Sequence, residues 1–168
     1  MKVRNVVVNK KQIEIIVDIL VSKIDQYYDR EQTVIIIVVE PRAKRFSSDL
    51  LKKLPEKFGV CPVVSKKTIS DVELDMHNVP SLTGRNVLVV DAICESGKTI
   101  SKILKELDNR SPSMVDVCVL IDKYKSRTEA VPLRFVGARV DEDGDLVGYG
   151  VDSNGEGRDF PFIFVVDN

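Results

Sequence analysis

The residues most able to do chemistry lie in the segment 87–99, where an apolar run ends in Asp91 and is followed by Glu95-Ser-Gly-Lys-Thr99. The apolar run is rich in valine, which is typical of a buried parallel strand, and the apolar residues that follow recur at helical spacing. The Ser-Gly-Lys-Thr turn is therefore predicted to join the carboxyl end of a strand to the amino end of a helix. Unpaired N–H groups and the helix dipole favour anions there, and Gly97 permits close approach of a ligand. The segment predicts a phosphate site.

One kind of phosphate site with this spacing is the P-loop of nucleotide hydrolases. Residues 92–99 match its pattern with Ala92 in place of the first glycine, and Asp122 ends a later apolar strand where such proteins position magnesium. Two features argue against a P-loop: the segment lies in the middle of the chain, and Glu95 would repel phosphates. A P-loop nucleoside triphosphatase is therefore our second hypothesis.

The same segment resembles the motif with which type I phosphoribosyltransferases bind phosphoribosyl pyrophosphate. That motif is an apolar strand, two acids, a spacer, a further acid, and then Ser-Gly or Thr-Gly. Leu120-Ile-Asp-Lys123 resembles the family's strand that delivers a purine-contacting lysine, and Phe135-Val-Gly137 resembles the strand after it. Residues 146–152 and 158–161 resemble the carboxy-terminal signature of hypoxanthine-guanine phosphoribosyltransferases in order and spacing. The resemblance is strongest over the second half of the chain.

The resemblance implies an α/β fold, with a mainly parallel twisted sheet flanked by helices and a small hood of short strands over the base. The chain also alternates between strand and helix patterns, as such folds do. Strands are predicted at residues 6–8, 34–39, 59–64 and 115–121, of which 34–39 is apolar enough to be buried. Asn9 and Gln12 have the spacing of a capping box, and Ser47 or Ser48 is predicted to cap a second helix. Residues 1–168 are predicted to form a single phosphoribosyltransferase-like domain.

Residues 66–84 show neither the periodicity of a helix nor that of a strand, and they contain Pro80 and Gly84. They lie where phosphoribosyltransferases carry a mobile loop that closes over the reaction, so we predict a short loop there. The only histidine, His77, falls in this segment and is predicted to be solvated. Lys125 and Arg127, which follow a predicted strand, are also interpreted as part of a solvated face.

The resemblance implies roles for individual residues in the transfer of phosphoribose to a purine. Asp91 would hold the ribose hydroxyls. Glu95 would accept the N7 proton of the purine as N9 attacks the sugar carbon. The 5-phosphate would be held by the loop of Ser96, Gly97, Lys98 and Thr99.

The remaining roles concern the base, the pyrophosphate and the metal. Lys123 would donate a hydrogen bond to the 6-oxo group, which favours hypoxanthine or guanine over adenine, and Leu146 would cover one face of the base. Arg42 and Arg158 would bind pyrophosphate, because a guanidinium fork suits phosphate oxygens. Asp152 would bind Mg²⁺, the implied cofactor, because a carboxylate suits a hard cation.

Several positions depart from the family pattern, and they cluster at the predicted site. Ala92 replaces the second ribose-binding acid, and Glu95 is one methylene longer than the usual aspartate. Asp145 replaces an aromatic residue that stacks on the base, and residues 40–43, Glu-Pro-Arg-Ala, replace a Leu-Lys-Gly or Leu-Arg-Gly turn. These departures predict weakened activity. They leave open a third hypothesis, a catalytically silent purine-nucleotide-binding protein of the same fold.

Composition favours small-molecule partners, here phosphoribosyl pyrophosphate and a 6-oxopurine or its monophosphate. The 168 residues carry a net charge of −1, which gives no electrostatic reason to expect nucleic acid or a membrane surface as partner. Cys61, Cys94 and Cys118 form no CxxC pair and are predicted to be buried, reduced thiols, as in the cytoplasm. We see no signal peptide and no apolar run of membrane-spanning length. By analogy with the family, a homo-oligomer, dimer or tetramer, is expected.

Overall fold

The computed structural model describes residues 3–28, 33–56, 58–67 and 72–167. Over these residues three helices and nine strands follow one another along the chain. They are β1 (Val3–Val8), α1 (Lys10–Tyr27), β2 (Val34–Glu40), α2 (Lys44–Leu51), β3 (Phe58–Lys67), β4 (Val72–Asp75), β5 (Asn86–Cys94), α3 (Lys98–Asp108), β6 (Met114–Asp122), β7 (Phe135–Arg139), β8 (Asp145–Val147) and β9 (Ile163–Val166).

The larger sheet has six strands in the order β4-β3-β2-β5-β6-β7. Five of them are parallel, and β4 alone runs antiparallel, to β3. The central strands are apolar throughout, with Ile36, Leu88 and Leu120 fully buried. Continuous apolar sequence is what a strand needs when both of its faces are covered. The predicted α/β class with a mainly parallel sheet is confirmed.

Helix α1 begins at the predicted capping box. Asn9 accepts a hydrogen bond from the Gln12 backbone N–H, and the Gln12 side chain accepts one from the Asn9 N–H. The side chains that α1 buries are spaced three or four residues apart: Ile13, Val17, Leu20 and Ile24. Among the described residues, no helix is both long and apolar enough to cross a membrane.

Helix α2 begins earlier than predicted. It starts at Lys44, after a turn that contains a cis peptide bond between Glu40 and Pro41, and its N-cap residue, Ala43, makes no side-chain cap. Ser47 and Ser48 therefore lie inside the helix, and the predicted serine cap is wrong. Burial of Phe46 and Leu50 fixes this helix, because tertiary packing overrides local capping preference.

The segment predicted as a loop, residues 66–84, is partly strand. Strand β3 continues to Lys67, which pairs with Val72 at the start of β4. The loop prediction is wrong for these strand residues, and residues 68–71 of it lie outside the described residues. His77 is exposed, as predicted, with 93% of its side-chain surface accessible, and its Nδ1 lies 2.7 Å from Asp75 Oδ1.

The smaller sheet is the hood, three antiparallel strands in the order β1-β9-β8. The hood was predicted from the carboxy-terminal strands, but its outer strand β1 comes from the start of the chain. One face of the hood buries Val147, Phe164 and Val166, while Leu146 and Val165 belong to the main core. The hood meets the larger sheet at the end of β6, where the Gly144 carbonyl accepts a hydrogen bond from Lys123.

Candidate active site

The chemistry-bearing residues gather at the carboxyl ends of β2, β5 and β6, which are neighbours in the sheet. Parallel strands bring their carboxyl ends to one edge, where ligands bind in open α/β sheets. A small cavity of about 20 Å³ lies there. Its lining includes six residues from the turn after β2, from β5 and from the start of α3: Arg42, Asp91, Glu95, Ser96, Gly97 and Thr99.

The predicted phosphate loop, residues 95–99, spans the turn between β5 and α3 and enters the first residues of that helix. Gly97 is the N-cap of α3 and has φ of 86°, a left-handed conformation that glycine adopts at little cost. A Cβ at this position would collide with the backbone carbonyl oxygen of Glu129. Thr99 is 8% exposed, whereas Lys98 is exposed on the outside of the helix. The cavity is therefore lined by the start of α3, where backbone N–H groups have no acceptor within the helix, and the Lys98 N–H donates to Ser96 Oγ at 3.4 Å.

Asp91 lies on the cavity wall and is almost fully buried. Its exposed fraction is 1%, and its Oδ1 accepts a hydrogen bond from the Ala92 backbone N–H at 2.7 Å. Ala92 is fully buried, so at the position of the family's second acid the chain has only a methyl group in the core.

Glu95 and Lys123 form an ion pair across the ends of β5 and β6. The distance from Lys123 Nζ to Glu95 Oε1 is 2.6 Å, and the Lys123 and Glu95 side chains are 7% and 29% exposed. Lys123 Nζ also donates to the Gly144 carbonyl of the hood at 2.6 Å. An ammonium group has three N–H donors, so one remains for a ligand. A buried ammonium with two acceptors fixes the carboxylate beside it.

Arg127 is part of the site although we predicted that it would be solvated. Its side chain is 18% exposed, pairs with the buried Asp122, and donates to the carbonyl oxygens of Glu95 and Cys94. Lys125, in contrast, is 64% exposed and pairs with Asp141, as expected of a solvated face. The local sequence does not show that Arg127 reaches the site, because its carbonyl partners, Glu95 and Cys94, lie about thirty residues away along the chain.

Asp152 and Arg158 face each other in the segment between β8 and β9. Arg158 donates to Asp152 Oδ1 at 2.8 Å, and the Gly155 N–H donates to Oδ2 at 2.8 Å. Burial raises the pKa of the Asp152 carboxyl, but the bonds from Arg158 and Gly155 outweigh it, so that the pKa lies below its usual value. Asp152 is therefore an ionised carboxylate at neutral pH.

The predicted pyrophosphate residues lie in different depressions. Arg42 lines the small cavity, whereas Arg158 lines an open groove of about 660 Å³ that also includes Glu40, Pro41 and Gly150. Within the described part of the chain, no group of three or more His, Cys, Asp or Glu residues could hold a metal. Any metal at Asp152 would therefore need ligands from a bound molecule.

Leu146, which was predicted to cover the base, and Asp145, which replaces the family's stacking aromatic residue, lie on opposite sides of strand β8. Leu146 is 5% exposed and packs in the main core, while Asp145 is exposed.

The cysteines Cys94 and Cys118 are buried free thiols, as predicted. Burial raises the pKa of both thiols, to about 12 for Cys94. The side chain of Cys61 lies outside the described residues.

Comparison with known proteins agrees with this geometry. The model of the phosphoribosyl transferase domain family matches residues 5–154. A hypoxanthine phosphoribosyltransferase of Buchnera aphidicola is 30% identical over 171 residues, covering 94% of this chain and 93% of the relative. A hypoxanthine-guanine phosphoribosyltransferase of Mycobacterium avium is 31% identical over 142 residues, covering 81% of this chain and 70% of the relative.

A solved structure supports the fold. The hypoxanthine-guanine phosphoribosyltransferase of Bacillus anthracis superposes with a TM-score of 0.90 over 98% of this chain and 99% of that chain, at 24% identity. The P-loop hypothesis is wrong, because the phosphoribosyl transferase family model covers the whole segment; in addition Asp122, the predicted magnesium residue, is buried and paired with Arg127 and Arg139. The motif at the end of β5, the hood and the family match lead to one conclusion: the chain belongs to the type I phosphoribosyltransferases and is similar to their hypoxanthine-guanine members.

Proposed function

We propose that the chain is a purine salvage enzyme. It transfers 5-phosphoribose from phosphoribosyl pyrophosphate to N9 of a 6-oxopurine, and releases the nucleoside monophosphate and pyrophosphate. The observation that carries this proposal is the 2.6 Å pair between Glu95 and Lys123, a proton acceptor and a hydrogen-bond donor held beside the phosphate loop. Relatives named hypoxanthine and hypoxanthine-guanine phosphoribosyltransferase support the same reaction.

The phosphoribose half of the substrate is proposed to bind at the small cavity. The backbone N–H groups of Ser96 to Thr99 hold the 5-phosphate, and the Thr99 hydroxyl adds a donor. Asp91 accepts hydrogen bonds from the ribose. Because Ala92 supplies no second carboxylate, we expect weaker ribose binding than two acids would give.

The purine is proposed to bind between Glu95 and the hood. The third N–H of Lys123 donates a hydrogen bond to the 6-oxo group. The 6-amino group of adenine cannot accept such a bond. The second oxygen of Glu95 accepts the N7 proton as N9 attacks the sugar carbon. Leu146 backs this site from the core rather than stacking on the base, because little of its surface is exposed.

The pyrophosphate is proposed to lie between Arg42 and Arg158, with Mg²⁺ held by Asp152. The donor set fits, because Mg²⁺ is commonly bound by one or two carboxylates together with substrate phosphates, and Asp152 is ionised. When bound, the ion supplies positive charge to the departing pyrophosphate. Arg158 must then exchange part of its contact with Asp152 for a phosphate oxygen, while the Gly155 N–H keeps the carboxylate in place.

One body of buried side chains supports a single-domain enzyme. Its members run from Val8 in the hood, through the larger sheet, to Val165 in the last strand. The proposed place of action is the cytoplasm, where the buried thiols of Cys94 and Cys118 stay reduced. A homo-oligomer, dimer or tetramer, is proposed by analogy with the family, and light scattering of the purified chain measures its size.

A turnover assay tests the proposal. The purified chain is incubated with Mg²⁺, phosphoribosyl pyrophosphate and, separately, hypoxanthine, guanine, xanthine or adenine, and nucleoside monophosphate is measured. We expect product with a 6-oxopurine and none with adenine. The silent nucleotide-binding alternative is favoured by the buried methyl of Ala92. It is distinguished by calorimetry, because it predicts affinity for inosine or guanosine monophosphate without any product.

A further inference from the structure

The carbonyl groups that precede Gly97 all point to one neighbouring segment, residues 123–129, which we call the brace. The backbone contacts run from Lys123 N to Cys94 O (2.9 Å), from Thr128 N to Ser96 O (3.0 Å) and from Glu129 N to Ser96 O (2.9 Å). The carbonyl of Glu95 has a side-chain partner instead: Arg127 Nε donates to it at 2.9 Å. Three successive carbonyls are thus held on the same side of the loop.

This arrangement orients the N–H groups of the loop. In a trans peptide the carbonyl of one residue and the N–H of the next point in opposite directions, and these peptides are trans. Because the carbonyls of Cys94, Glu95 and Ser96 point to the brace, the N–H groups of Glu95, Ser96 and Gly97 point away from it. The brace therefore aims the donors that the loop offers to an anion.

Arg127 is the part of the brace that depends on a side chain with a specific shape. Its terminal nitrogen Nη2 pairs with Asp122 and lies 3.3 Å from Cys94 O, while its Nε contacts Glu95 O. A planar guanidinium can make these bonds together, whereas a lysine ammonium on a flexible stem cannot reproduce the fork. The Cβ position of Gly97 would also lie 3.0 Å from Arg127 Cδ, so the side chain packs directly under the loop.

We propose that Arg127 is a positioning residue for recognition of the 5-phosphate, and that it acts by orienting the amide of Ser96 through its bond to the Glu95 carbonyl. This inference rests on the proposed function, in which the loop binds that phosphate. Removing the guanidinium frees the Glu95 carbonyl and lets the peptide between Glu95 and Ser96 rotate. The phosphate then loses a donor aimed at it, whereas the purine loses none.

The test compares Arg127→Ala with Lys125→Ala, a matched cation two residues earlier that is solvated. Calorimetry measures the affinity of each variant for ribose 5-phosphate, which carries the 5-phosphate without base or pyrophosphate. We expect Arg127→Ala to weaken binding about tenfold or more, the effect of losing one hydrogen bond to a charged group. Lys125→Ala should bind as the wild type does. In turnover, Arg127→Ala should raise KM for phosphoribosyl pyrophosphate more than KM for the purine.

Two further measurements separate positioning from general stability. Low concentrations of guanidinium ion should restore ribose 5-phosphate binding to Arg127→Ala, and the amide resonance of Ser96 should shift in the variant. If that variant does not fold, Arg127→Lys takes its place, with a weaker loss of affinity expected at a thermal midpoint near that of Lys125→Ala.

Two negative results have different meanings. If the wild type binds ribose 5-phosphate and the Arg127 variants bind it equally well, the positioning role is wrong while the proposed function stands. If the wild type itself does not bind ribose 5-phosphate, the proposed function fails and the inference fails with it.

Discussion

The two halves of the proposed site are built from different parts of the chain. The phosphate half consists mainly of backbone: the loop around Gly97, with its carbonyls tied to the brace. The base and pyrophosphate half consists of side chains that pair with each other, Glu95 with Lys123 and Asp152 with Arg158. The departures from the family pattern reflect this difference, because the glycine and hydroxyls of the loop are retained while acids and an aromatic residue are replaced.

The comparison shows why recognition by backbone tolerates sequence change better than recognition by side chains. A backbone N–H is present whatever the side chain, so the loop needs only the left-handed glycine and correct peptide orientation. A site made of side chains depends on length and charge at each position, and in the proposed mechanism one methylene at Glu95 would alter the geometry of proton transfer. We therefore expect phosphate binding close to that of the family and weaker base binding.

The largest expected effect comes from Glu95→Gln. The amide oxygen can still accept a hydrogen bond from Lys123, so the geometry is kept, but the group can no longer accept a proton. We expect turnover to fall about 10²- to 10⁴-fold, as for loss of general base catalysis, with affinity for inosine monophosphate near wild type. Glu106→Gln, on the exposed face of α3, is the control. Equal turnover in the Glu95→Gln variant and the wild type would remove Glu95 from the mechanism.

The next effect tests the phosphate half. Gly97→Val places a side chain against the carbonyl of Glu129 and would displace the loop from the brace. We expect calorimetry to detect no binding of inosine or guanosine monophosphate. Gly84→Val is the control, because Gly84 also has a left-handed φ, 69°, but has open space around its Cβ position. Both variants carry a backbone strain of about 1–2 kcal/mol. A loss of nucleotide binding confined to Gly97→Val would therefore come from the change at the phosphate loop and not from strain alone. Unchanged nucleotide affinity would mean that the loop is not the phosphate site.

A smaller gain is expected from Asp145→Phe, which restores an aromatic residue on the exposed side of β8. Stacking of a base on an aromatic ring contributes about 1–3 kcal/mol, so KM for the purine should fall about tenfold or more. KM for phosphoribosyl pyrophosphate should stay the same, since Asp145 is not among the residues proposed to bind that substrate. Asp143→Phe, also exposed in the hood, controls for added apolar surface. If purine affinity stays the same or worsens, Asp145 does not lie over the base.

The smallest expected effect is on the pH dependence of the free energy of unfolding, through the Asp152–Arg158 pair. The folded pKa of Asp152 is lower than its unfolded value, so the pair stabilises the protein above the unfolded pKa, about 3.9. That stability is lost as pH falls through the lower folded pKa. Arg158 is half exposed, and Arg158→Gln should therefore cost only about 0.2–1 kcal/mol at pH 7.

Urea unfolding measures this effect across the same pH range. The difference between wild type and Arg158→Gln should be constant above about pH 5 and shrink below about pH 4. Arg158→Lys keeps the charge and should show less of the effect. A difference that persists unchanged at low pH would show that the pair does not act through the charge of Asp152.

Some features could be predicted from sequence because their causes are local. The capping box at Asn9 and Gln12 joins residues three positions apart, and the loop at Gly97 follows directly from a strand, a glycine and a helix. Central strands such as β5 are recognisable because burial on both faces demands a continuous apolar run. The start of α2 was missed, because the buried side chain of Phe46, rather than a capping serine, decides it.

Other features depend on contacts between distant parts of the chain. Arg127 and Lys125 are similar cations in one short segment, yet only Arg127 reaches the carbonyls of Cys94 and Glu95. Likewise, the pairing of β1 with β9 joins the two ends of the chain in the hood, and no local pattern in either strand specifies its partner.

The sequence by itself determined the α/β class, the turn at Gly97 and the family, because short-range periodicity and motif spacing carry that information. Only the tertiary structure decided which charged groups meet: Lys123 with Glu95 and the hood, Arg127 with the loop, and Asp152 with Arg158. The physical reason is that backbone conformation follows local sterics and apolar spacing, whereas the partner of a charged side chain is chosen by the strands that pack beside it.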